Sequence, residues 1–81
     1  MVELTETLVK AISLNKDAVE VREMTTDEED TILLQVLVDE SDMGRVIGKG
    51  GQMIKAIRTL VQVSSSIKEK KKVRIELDEI K

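Results

Sequence analysis

Residues 44–51 read Gly-Arg-Val-Ile-Gly-Lys-Gly-Gly, and these positions hold all 4 glycines of the 81-residue chain. Glycine reaches positive φ and lets a ligand approach the backbone, yet each one destabilises a helix or strand interior by roughly 0.5 to 1 kcal/mol relative to alanine. Clustered with Arg45 and Lys49, they describe a pliable backbone beside positive charge. Unpaired amides at a helix start, backed by cations, suit a phosphate.

Three phosphate-binding loops contend for this segment. A Walker A loop places four residues between its first glycine and Gly-Lys-Ser/Thr; here only Arg45, Val46 and Ile47 separate Gly44 from Gly48, and Gly50 stands where the magnesium-binding hydroxyl belongs. A dinucleotide fingerprint, Gly-x-Gly-x-x-Gly, begins at Gly48 and Gly50 but meets Met53 at its third glycine. The pattern that fits is Gly-x-x-Gly, Gly48-Lys49-Gly50-Gly51, a loop between two helices that grips a nucleic-acid backbone. Val46-Ile47 before it and Ile54 after it extend the pattern to V-I-G-x-x-G-x-x-I.

In that reading the bare backbone at Gly48, Gly50 and Gly51 admits a sugar-phosphate chain to the amides that open the next helix. Lys49 adds a mobile charge at the tip, and Arg45, Lys55 and Arg58 hold flanking phosphates as positioning contacts without sequence information. Ile47 and Ile54 form an apolar floor for bases. Each role has a plainer counterpart: apolar periodicity by itself reports burial of Ile47 and Ile54, and Lys55 and Arg58 suit the solvated face of an amphipathic helix. Gly44 in the preceding helix would allow close helix packing.

The net charge of −3 hides a strong polarity. Residues 1–40 carry 3 Lys/Arg against 11 Asp/Glu, whereas residues 41–81 carry 10 against 5. From Met43 to Arg74 there are 9 cations and one acid, Glu69, so an anionic ligand is drawn to that segment and repelled by the first half. The run Lys68, Lys70, Lys71 and Lys72 reads as a mobile charged connection.

The chain contains no Cys, His, Phe, Tyr or Trp. Thiol redox chemistry, zinc-finger sites and imidazole catalysis are excluded, and no carboxylate pair stands beside the glycines at a catalytic spacing, so no enzyme and no cofactor is expected. The acidic turn Asp27–Asp30 lacks the order and the glycine of a calcium loop, so no metal is expected either. Without aromatic rings, base stacking is absent and sequence discrimination is modest. Glu3 and Glu6 stand where a signal peptide carries cations, and no apolar run approaches the roughly 20 residues of a membrane span, which predicts a cytoplasmic chain with no membrane partner.

One domain, residues 1–81, accommodates this length. Leu4, Leu8, Ala11 and Ile12 predict a helix over Val2–Leu14 that stops at Asn15. Alternation from Ala18 to Met24 predicts a strand, Thr25–Asp30 a turn, and the nearly continuous apolar run Thr31–Val38 a central strand. Ser41 or Asp42 is placed to cap a short helix ending at Ile47. From Gln52 to about Ser65, Met53, Ile54, Ile57, Leu60 and Val61 predict an amphipathic helix that the serines dissolve. After the connection Ser66–Lys72, Val73, Ile75 and Leu77 alternate in a last strand.

The stretch Val46–Ile54, VIGKGGQMI, resembles the signature of the KH (K-homology) domain, and the order helix-strand-strand-helix-helix-strand resembles its bacterial, type II arrangement. The resemblance runs over essentially all 81 residues and is to the small single-KH RNA-binding proteins of bacteria, the KhpA group. It implies an α+β fold: a three-stranded mixed sheet with three helices on one face, the central strand antiparallel to the first and parallel to the last. It also implies single-stranded RNA as ligand, a homodimer, a larger KH-containing Jag-type partner, and a role as regulator or RNA chaperone linked to cell elongation and division. A protein-interaction or dimerisation module with weak or vestigial RNA binding is the alternative that the net negative charge and the small, aromatic-free core leave open.

Overall fold

A computed structural model describes residues 1–80. Its elements are α1 (Val2–Ile12), β1 (Glu20–Met24), β2 (Thr31–Asp39), α2 (Met43–Ile47), α3 (Gln52–Lys68) and β3 (Lys72–Ile80). Short 3-10 turns at Lys16–Ala18, Glu40–Asp42 and Lys49–Gly51 link them. The sheet order is β1-β2-β3; β2 runs antiparallel to β1, with Val21 opposite Val36, and parallel to β3, with Leu34 opposite Ile75.

The core follows from the period-two pattern of β2. Ile32, Leu34, Val36 and Val38 all face the helices and are buried, while Leu33, Gln35 and Leu37 lie half-buried on the opposite face. Val19, Val21, Ile75, Val9, Val46, Ile54, Ile57 and Val61 complete a core of buried aliphatic side chains. β2 is the central strand because its partner on each side presents matching aliphatic residues in register, as the sequence led us to expect.

The helices differ from expectation in informative ways. α1 ends at Ile12, before the expected Leu14, because Ser13 turns to extended backbone and its hydroxyl donates back to Val9 O at 2.8 Å. Lys16 Nζ then donates to Lys10 O (2.7 Å) and Ser13 O (2.9 Å), setting a cation on the negative end of the helix. The buried positions of α1 are Thr5 and Val9, with Leu4, Leu8 and Ile12 at the margin and Ala11 exposed. Thr5 tolerates burial because its hydroxyl donates to Met1 O at 2.9 Å. The strand expected from Ala18 begins at Glu20, since Lys16–Ala18 closes a 3-10 turn.

The serines near the end of α3 do not dissolve it. Ser65 is buried, and its hydroxyl donates to Lys71 O at 2.9 Å; Gln62 Nε2 donates to the same carbonyl and Gln62 Oε1 accepts from Val73 N at 2.9 Å. Polar side chains thus tie the end of α3 to the start of β3, and the helix reaches Lys68. It stops where Lys70 takes φ 55°, its amide bonded to Ser65 O.

Candidate nucleic-acid interface

Three consecutive devices build the loop. α2 ends as the Gly48 amide donates to Gly44 O (2.9 Å) and Gly48 swings to φ 76°, ψ 174°, a region that glycine almost alone occupies. The turn Lys49–Gly51 closes when the Gly51 amide donates to Gly48 O (3.1 Å) and the Gln52 amide to Lys49 O. Gly50 (φ 63°) and Gly51 (φ 78°) are left-handed, and Gly51 leads directly into α3. The amides of Gly51 and Gln52, expected to be open donors, are therefore already paired within the turn.

The glycines serve different ends. A Cβ on Gly48 would sit 2.6 Å from Met53 Cβ and 2.8 Å from Met53 N, so this glycine lets α2 and α3 meet. A Cβ on Gly50 or Gly51 would meet nothing within 4 Å; their backbones stand bare to the outside, and only their positive φ selects glycine. Gly44 also faces open space, so the close packing expected of it is not its reason.

The remaining site residues separate into two groups. Arg45, Lys49 and Lys55 are exposed around the loop, and Lys49 and Lys55 make no ion pair among the described residues. Ile47 is 37 % exposed, whereas Ile54 is 7 % exposed and belongs to the core beneath. Arg58 leans away from the loop, with its guanidinium 3.4 Å from Ile75 O on β3. Lys68 and Lys70–Lys72 lie at the far end of α3. There Arg74 pairs with Glu28 at 3.1 Å and the Lys72 amide donates to Asp30 O, so the acidic turn stands beside the basic run.

Asp42 is the residue whose role the sequence did not reveal. It precedes α2 but makes no side-chain cap there. Its carboxylate turns inward, fully buried, accepting from Leu14 N (3.1 Å), Asn15 N (2.9 Å) and Asn15 Nδ2 (3.2 Å). These bonds, the Asn15 amide foremost, together with Arg45 beside it, hold its carboxyl below the ordinary value against the opposing effect of burial. A contact between positions so distant in sequence leaves no local pattern.

No helix among the described residues is long and apolar enough to cross a membrane, and no three or more His, Cys, Asp or Glu side chains among them gather as a metal-holding group.

Comparison with known proteins agrees with this architecture. The chain is 46 % identical over 77 residues to RNA-binding protein KhpA of Caldanaerobacter subterraneus subsp. tengcongensis, covering 95 % of this chain and 99 % of that one. It is 42 % identical to RNA-binding protein KhpA of Clostridium acetobutylicum, with the same coverage. Among solved structures, Era of Aquifex aeolicus bound to GDP.AlF4- superposes with a TM-score of 0.72 at 20 % identity over 96 % of this chain and 29 % of Era. A complex of Era with MgGDPNP and nucleotides 1506–1542 of 16S ribosomal RNA gives a TM-score of 0.69 at 18 % identity, again over 96 % of this chain and 29 % of Era. That likeness establishes the KH fold. The model of the family described as KhpA/KhpB, KH domain, matches residues 2–77, and the chain belongs to that family.

Proposed function

We propose that residues 1–81 act as one non-catalytic KH domain that binds single-stranded RNA through the Gly48–Gly51 loop. One observation carries the reading: a bare, left-handed bend at Gly50 and Gly51 leads into α3, flanked by Arg45 and by Lys49 and Lys55, the two lysines without an acidic partner among the described residues. A polynucleotide backbone fits such a bend because phosphates approach without meeting a Cβ, while the dipole of a 17-residue helix and Lys49 favour the negative charge. Arg45 and Lys55 hold neighbouring phosphates, Ile47 offers the apolar surface for a base, and Ile54 supports that surface from within. Arg58 reaches a phosphate after leaving Ile75 O. The relatives named RNA-binding protein KhpA support the same ligand.

With about four phosphates neutralised, log affinity falls against log salt with a slope near −3, from roughly −0.7 per contact on a single strand. The direct test is the double variant Lys49→Asp/Gly50→Asp. Position 50 has open space, and Asp tolerates the left-handed region, so the variant folds; two carboxylates then stand where a phosphate should. Loss of RNA binding is expected, and undiminished binding overturns the reading.

Self-association is a second property that one observation favours. Met53, Ala56, Leu60, Val63 and Ile67 repeat at alternating steps of three and four along the outer side of α3, and Leu60, Val63 and Ile67 are 55 %, 52 % and 75 % exposed. An uncharged seam with a seven-residue period suits a facing helix, either from a second copy or from a larger KH-containing Jag-type protein. Acting in the cytoplasm on short RNA segments, such a dimer serves as a regulator or RNA chaperone, with the link to cell elongation and division implied by the KhpA group.

A further inference from the structure

We propose that Asp42 is a positioning residue for RNA binding, its buried carboxylate locking the entry of α2 onto the Leu14–Asn15 link so that Arg45 and the glycine loop are held in binding geometry. This rests on the RNA-binding reading above.

α2 has only five residues, far too few to persist through its own hydrogen bonds. Its placement is set from outside. Val46 anchors one side in the core, and at the other the Asp42 side chain, 1 % exposed, gathers three donors from a segment 27 and 28 positions earlier. Asn15 Nδ2 extends the tie by donating to Ser41 Oγ at 3.0 Å. Arg45 lies one turn further along α2, 53 % exposed, with Nε 3.8 Å from Asp42 Oδ1. The carboxylate therefore faces two ways: inward to the amides that fix the helix, outward to the arginine beside the loop.

Electrostatics gives the proposal its test, because the two accounts of Asp42 predict opposite signs. A carboxylate near bound phosphate repels it, so removing a charge with no positioning role tightens RNA binding. Loss of a positioning residue weakens it. Asp42→Asn keeps the shape but turns an NH2 toward the amide donors of the link, releasing α2. Glu40→Gln, an exposed neighbour in the preceding turn, reports the through-space effect alone.

Affinity for a short fluorescein-labelled single-stranded RNA of mixed sequence is measured by anisotropy for the full chain, corrected for the folded fraction from circular dichroism. Asp42→Asn is expected to bind about fivefold more weakly, within the range for residues acting on a site through packed neighbours. Glu40→Gln is expected to bind equally or more tightly. In an Arg45→Ala background the Asp42→Asn effect is expected to shrink, which general destabilisation would not produce. Nitrogen-15 spectra of the RNA-free proteins are expected to show the Gly48, Gly50 and Gly51 amides displaced in Asp42→Asn and, less so, in Asn15→Ala, which removes only the side-chain donor. If Asp42→Asn fails to fold, Asn15→Ala decides by the same two readouts, weaker RNA binding and displaced loop amides. Folded Asp42→Asn that binds RNA as Glu40→Gln does, with loop amides unmoved, overturns the proposal. Wild-type protein that ignores RNA overturns the functional reading instead, and the loop amides still report whether Asp42 positions the loop.

Discussion

Gly48 and Met53 stand so close that a single added methyl would lie 2.6 Å from Met53 Cβ. That contact fixes the angle at which α2 hands over to α3 across the turn.

Alanine at the three loop glycines should therefore rank by mechanism. Gly48→Ala combines overlap with a backbone region that only glycine adopts readily, and should destabilise by about 2 kcal/mol or more. Gly50→Ala and Gly51→Ala meet no neighbour and should each cost about 1 kcal/mol, the ordinary penalty of a left-handed alanine. Urea denaturation of the three variants measures the order.

Gly44 offers the converse case. A Cβ there touches nothing, and the position lies within α2 without positive φ. Gly44→Ala should stabilise the fold by about 0.5 to 1 kcal/mol through helix propensity. A rise in the denaturation midpoint is expected. Weakened RNA binding by that more stable variant would mark Gly44 as part of the surface the ligand approaches.

Much of the fold was legible because its signals are local. Thr31–Val38 alternates, Val73 to Leu77 alternates, and the glycines cluster, so the central strand, the last strand and the loop lie where the pattern put them. What escaped depends on distant partners. The end of α3 holds through Gln62 and Ser65 bonding to the start of β3, and Asp42 resembles a helix cap until its donors from Leu14 and Asn15 are seen. Periodicity also could not choose between two adjacent apolar rows on α3. Met53 and Leu60 were expected inside with Ile54, Ile57 and Val61, yet they belong to the outer row.

Asp42 should also leave a mark on acid stability. Because hydrogen bonds depress its native carboxyl below the unfolded value of about 3.9, the folded chain binds fewer protons than the unfolded one in that region. Its contribution is whole above that pH and is lost as pH falls through the native value. Thermal melts from neutral pH downward should show wild type melting roughly 5 °C or more above Asp42→Asn near pH 7, with the gap narrowing as pH falls below the unfolded carboxyl value. A gap independent of pH would mean that the carboxylate charge contributes nothing.

The outer row of α3 predicts an oligomer that a charge can break. Leu60→Glu places a carboxylate mid-seam at a position 55 % exposed, so the fold should remain while self-association weakens at least tenfold, as burying an unpaired charge in an apolar seam would require. Light scattering over a concentration series checks it. An unchanged mass for the variant would place any dimer contact elsewhere.

The central claim is that RNA is held at the glycine bend, and nitrogen-15 spectra recorded during titration with a short single-stranded RNA at low salt test it most directly. Displaced amides confined to residues 45–58, with those of the β1–β2 turn unmoved, are the result this account predicts. Amides of residues 45–58 that stay fixed in excess RNA would contradict it.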